Sequence, residues 1–98
     1  MITVTIHRSN DSYAGFKVVG HAGYAEEGYD IICAAVSVLV VNAVNSIETF
    51  TDDKFAARED HGIVELILEG SVSDKTTLLL DSMILGLRDI QTQYGNEF

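Results

Sequence analysis

Proline is missing from all 98 residues, and cysteine occurs once. With no proline and no low-complexity stretch, nothing marks an interdomain linker, so residues 1–98 read as a single domain. The lone cysteine, Cys33, excludes an intrachain disulfide and leaves either a buried structural thiol or a reactive one. Basic residues are also few. Six Lys and Arg stand against fifteen Asp and Glu, a formal charge of −9. That balance opposes nucleic-acid binding, which needs Lys and Arg on phosphates. It suits a basic partner or substrate, or simply solubility. No apolar run reaches the roughly 18 residues of a membrane span. The longest runs from Ile31 to Val41, contains Ser37 and is bounded by Asp30 and Asn42. The first residues, MITVTIHR, lack the basic start and apolar stretch of a signal peptide. The expectation is a cytoplasmic protein that binds neither membrane nor nucleic acid.

What is present points to a folded chain. Hydrophobic residues make up 47% and charged residues 21%, unlike a disordered segment. A chain of this size buries about two thirds of its surface on folding, enough for one modest core. Any active site is then shallow or shared with a second subunit. Residues 2–8 alternate, with Ile2, Val4 and Ile6 on one side and Thr3, Thr5 and His7 on the other, the pattern of a half-buried strand. Asn10 and Asp11 mark a turn. A second strand follows over 13–20, where Gly15 marks a bulge. Residues 22–29 have no clean period and read as a loop. Asp30 is placed as the N-cap of a long apolar helix, its carboxylate accepting unpaired amides of the first turn. Being rich in valine, that helix relies on burial rather than propensity. A weak strand over 55–59, a turn at 60–62 and a clear strand over 63–69 come next. Ser73 or Asp74 caps a second helix, whose stripe is Leu80, Met83 or Ile84, Leu87, Ile90 and Tyr94. The order ββαββα predicts an α+β two-layer sandwich, with both helices on one face of an antiparallel sheet.

The chemistry is concentrated between Gly20 and Leu39. His21 ends a strand, and Cys33 lies in the first turn of the predicted helix, with a glycine-containing loop between them. A helix N-terminus offers unpaired N–H groups and the positive end of the dipole, both of which stabilise a thiolate. A nearby histidine can take the thiol proton, and the same amides can receive an oxyanion. Spacing alone leaves other readings open. A lone cysteine on an apolar helix is more often a small buried hydrophobe, and a strand-end histidine is often merely solvated. A metal reading would use Cys33, His21 and Asp30, but no fourth ligand or paired cysteine motif accompanies them. No metal and no other cofactor is expected.

The segment reads Gly20-His21, a loop through Gly28, Asp30-Ile31, Ile32, Cys33-Ala34-Ala35, Val36 and Ser37. In that pattern it resembles the bacterial ribosomal-processing cysteine proteases, the Prp family. Chain length and element order fit the same family. The resemblance implies a cysteine endopeptidase with Cys33 as nucleophile and His21 as general base and then general acid. It implies, as substrate, the precursor of a large-subunit ribosomal protein, number twenty-seven. The short N-terminal extension of that precursor is removed after a sequence with paired Phe residues. It also implies a homodimer. Asp30 matches the family's Asp, with orientation of His21, help in substrate binding, or helix capping alone as its candidate roles. Ser37 is one helical turn beyond Cys33, where it assists the site or bonds back to the Cys33 carbonyl.

The loop from Ala22 to Tyr29 is expected to act as a substrate-binding lid, with Gly20 and Gly28 as its hinges. Glu26 and Glu27 are placed to attract a basic precursor. Tyr24, Tyr29 and Val36 are candidate lining residues for the apolar side chains, although Val36 is equally placed for the core. Two competing readings remain. One is a non-catalytic acidic module that binds a ribosomal protein or subunit. The other is a different thiol enzyme, such as an acyl transferase, using the same pair.

Overall fold

The computed structural model of the protein describes residues 2–20, 29–60 and 62–94, with the side chains of Tyr29, Asp30 and Tyr94 left outside that description. Its elements are β1 (Thr3–Ser9), β2 (Ser12–Val19), α1 (Tyr29–Phe50), β3 (Lys54–Asp60), β4 (Ile63–Glu69) and α2 (Asp74–Tyr94). The ββαββα order and the α+β class are those expected. The four strands form one antiparallel sheet in the order β1-β2-β4-β3. The two hairpins therefore meet through β2 and β4 at the centre, and β1 and β3 are the edges.

Alternation explains which side of each strand is buried. Phe16 and Val18 of β2 and Val64 and Leu66 of β4 turn inward, with Val4 and Ile6 half-buried beside them. Against this face α1 lays Ile32, Val36, Val40, Ala43 and Ile47, and α2 lays Leu80, Met83 and Leu87. As far as Ile90 the α2 stripe is thus the one its spacing gives, with Ile84 and Ile90 half-buried at its margin, while the side chain of Tyr94 lies outside the described residues. The helices approach closely at Gly86, where an added Cβ would sit 2.9 Å from a Leu39 methyl. Ile31–Phe50 is long and apolar enough, by length and composition, to cross a membrane, with a mean hydropathy of 1.9. No single run in the sequence showed this, because Ser37, Asn42 and Asn45 interrupt it.

Gly15 does mark a bulge. His7 pairs with Gly15 but Arg8 pairs with Tyr13, so Ala14 is the extra residue. The bend brings the Gly15 backbone against β4. A Cβ built there would lie 2.1 Å from the Leu66 carbonyl oxygen, at a φ of +151° that disfavours any side chain. Beside the bulge the Tyr13 hydroxyl donates to the Asp81 carboxylate of α2, and the Arg8 guanidinium lies 4.3 Å over the Tyr13 ring. Burial, then the bond to Asp81 and its charge, raise the Tyr13 hydroxyl above its ordinary pKa, against the opposing effect of Arg8.

The start of α2 is fixed by a small polar cluster. Ser73, rather than Asp74, is the cap, its hydroxyl receiving the Thr76 amide at 3.3 Å. Asp53 holds that cap in place, since its Oδ2 accepts both the amide and the hydroxyl of Ser73 at 2.8 Å. The Thr76 hydroxyl first, then the Ser73 amide and hydroxyl, lower the Asp53 pKa, while burial opposes them. A carboxylate whose pKa falls on folding stabilises the fold above its unfolded pKa, and that share is lost as pH drops through the folded value. Asp53→Ala is therefore expected to lower stability by about 1–2 kcal/mol at neutral pH. Urea unfolding at pH 7 and pH 3 checks this. The gap between wild type and variant should shrink at the lower pH, and an equal gap at both would refute the linkage.

Candidate active site

Cys33 is placed by α1, and the helix begins earlier than its sequence suggests. Tyr29 is the first helical residue, so Asp30 lies inside the first turn and is not the N-cap. The correction has a simple cause. An aspartate in the first turn also meets the positive end of the dipole favourably, and so does not by itself mark the cap. Tyr29 likewise belongs to the helix rather than to the loop in which the sequence reading put it.

This shift changes the chemistry available at Cys33. As the fifth residue of α1 it opens the second turn, and by the i to i−4 pattern its N–H bonds to the Tyr29 carbonyl. The amides without helical acceptors lie nearer the start, up to Ile31, and those are the groups able to face a developing oxyanion. The Cys33 side chain is 7% exposed and is the one described thiol, set among the core residues Ile32 and Val36. Both sequence readings of the cysteine, buried and reactive, therefore bear on the same position. Val36 is fully buried and belongs to the core, which removes it from the surface lining a substrate would meet. Ser37 is half-buried one turn beyond Cys33.

Gly20 closes β2 with a φ of +94°, and its amide donates to the Gly62 carbonyl at 2.9 Å. Gly62, in the β3–β4 turn, is a residue the sequence reading saw only as a turn glycine. It is a backbone anchor for the strand end from which His21 follows, and only the sheet order brings it there. His21, Tyr24, Glu26, Glu27 and Gly28 lie outside the described residues, as does the proposed lid motion. The side chains of Tyr29 and Asp30 do too, so the Asp30 choice between helix cap and partner of His21 narrows only through its backbone position. Among the described residues no three His, Cys, Asp or Glu side chains converge on a metal-sized site.

Comparison with known proteins agrees with this architecture. The family described as "Cysteine protease Prp" matches residues 1–98. The chain is 34% identical to the ribosomal processing cysteine protease Prp of Bacillus subtilis, over 96% of this chain and 90% of that one. Among solved structures it superposes with a TM-score of 0.90 on an essential ribosomal processing protease Prp from S. aureus in complex with a substrate peptide. That match has 27% identity and covers 98% of this chain and 93% of the other. A protein of Streptococcus mutans, SMU.848, matches with a TM-score of 0.81 and 31% identity, over 95% and 85% of the two chains.

Proposed function

Because the chain belongs to the cysteine protease Prp family and is a ribosomal-processing cysteine peptidase, we propose that it removes the N-terminal extension of the precursor of ribosomal protein number twenty-seven. Cys33 and His21 act as the catalytic pair. The observation that supports this most is the position of Cys33 near the start of α1, with Gly20, the residue before His21, bonded into the sheet by Gly62. His21 takes the thiol proton as sulfur attacks the scissile carbonyl, and returns it to the leaving amine. Water then hydrolyses the thioester. First-turn amides of α1 receive the oxyanion. Asp30 and Ser37 assist. The loop residues Tyr24, Glu26, Glu27 and Gly28, with Tyr29, receive the extension, the charge of the two acids attracting a basic precursor in the cytoplasm.

The test is a quenched fluorescent peptide that spans the precursor's cleavage point. Cleavage after the paired Phe residues is expected, and a peptide with both Phe replaced by Ser should remain intact. Binding of the first peptide without cleavage would favour the interaction-module reading. Cleavage of both peptides alike would remove this substrate assignment.

The same proposal includes a homodimer. The outer side of α1 carries Ile31, Ala34, Val38 and Val41 at spacings of three and four, and Ile31, Val38 and Val41 are 64%, 67% and 42% exposed. A second copy packed along this stripe removes it from water. Sedimentation should give a dimer for the wild type and a folded monomer for Val38→Asp. A monomeric wild type at micromolar concentration would end this part of the proposal.

A further inference from the structure

Among the described residues, the outer edge of β1 has no neighbouring strand. Beside it, between β1 and α2, lies a cleft of ≈ 310 Å³ whose apolar lining includes Ile2, Val4, Ile84 and Leu87, with Arg88 as its charged residue. Through Ile6, Ile84 and Arg88 the cleft continues into a second recess of ≈ 350 Å³, where Arg8 and the 64% exposed Leu85 join it. Two of the chain's three arginines thus stand along one cleft of a molecule whose net charge is −9. Of the nearby acids, Asp81 is engaged by the Tyr13 hydroxyl, and Asp89 lies exposed next to Arg88 on α2. Arg8 lies over the Tyr13 ring, while Arg88 makes no ion pair among the described residues.

An open strand edge presents free N–H and C=O groups, a template for a further strand. The bulge at Ala14 of β2 lies opposite the far end of β1, between His7 and Arg8, so Thr3–Ile6 keeps a regular register. An incoming strand alternates its side chains, so every second one points toward the cleft. Apolar groups suit the half-buried Val4, Ile6 and Ile84, and a carboxylate suits the Arg88 guanidinium.

We propose that the β1–α2 cleft docks an extended segment of a partner protein, which adds to β1 as a strand, seats apolar side chains on Val4, Ile6 and Ile84, and brings a carboxylate to Arg88. The occupant is an acidic, apolar peptide. A basic ribosomal precursor is a poor match for two arginines, so the site is separate from the substrate path and does not rest on the peptidase assignment.

The test uses two labelled, capped heptapeptides, Val-Thr-Val-Thr-Val-Thr-Glu and the same peptide ending in Lys, in which positions 1, 3, 5 and 7 share one face, followed by fluorescence anisotropy and amide NMR on the full chain. The glutamate peptide should bind, shift the amides of Thr3–Ile6, and lose about tenfold in affinity with Arg88→Glu at an unchanged thermal midpoint. Binding of the lysine peptide at equal affinity, binding of neither, or binding indifferent to Arg88→Glu would overturn the proposal. So would a change in oligomeric state on Arg88→Glu, which would assign the cleft to a second copy.

Discussion

Replacing Cys33 by alanine is expected to reduce cleavage of the precursor peptide by at least about a thousandfold, while stability changes by no more than about 1 kcal/mol. The two numbers separate the two readings of this residue. A merely structural thiol, 7% exposed and packed by Ile32 and Val36, loses a small volume on truncation to Ala and leaves any chemistry intact. A nucleophile has no substitute, because without sulfur there is no thioester. His21→Ala should reach the same low rate, since the thiol then has no base and the leaving amine no acid. The double variant should be no worse than either single one, because residues that act as a unit do not add. Steady-state cleavage beside urea unfolding for all three variants decides it. Retained cleavage in Cys33→Ala would eliminate the mechanism, and retained cleavage in His21→Ala alone would leave the nucleophile and remove its partner.

The second large effect is on the fold. Gly15→Ala is expected to destabilise the protein by more than about 3 kcal/mol, or to prevent folding. The added methyl would occupy the place of the Leu66 carbonyl oxygen, 2.1 Å away, at a φ of +151°. Neither strand can yield cheaply. Leu66 is fully buried, and β2 and β4 are the two central strands. Gly70→Ala provides the control. It shares a positive φ, +75°, but nothing lies within 4 Å of its Cβ position, so only the left-handed backbone penalty of about 1–2 kcal/mol remains. If Gly15→Ala and Gly70→Ala unfold at the same urea concentration, the close approach at Leu66 is not what requires glycine.

These residues also show what sequence discloses and where it stops. Alternation in Thr3–Ser9 and the spacing of Leu80, Met83 and Leu87 are local patterns, and each gave the right element and the right buried side. Gly15 was legible as an irregular position, but the Leu66 carbonyl that demands it was not, because that contact depends on β2 lying next to β4. The start of α1 was misplaced by two residues, from Ile31 to Tyr29, since Asp30 is favourable both as a cap and within the first turn. Asp53 gave no local sign of its role, being twenty positions before the Ser73 it holds. The Gly-His and Cys-Ala-Ala pattern was legible because site chemistry depends on residue type and spacing. The burial of Cys33 and the anchoring of Gly20 by Gly62 were not, because they follow from packing across the whole chain.

The strand order bears on how the site comes into being. Each hairpin, β1–β2 and β3–β4, joins residues close in sequence, whereas Phe16 meets Leu66 across about half of the chain. Loop closure makes that central pairing the entropically slow one. Only when it zips does the Gly20 amide find Gly62, and only then is the strand end before His21 tied to the layer that supports Cys33. A nascent chain whose hairpins have formed separately has not yet built this anchor, so the protease matures with the final seam of its own sheet.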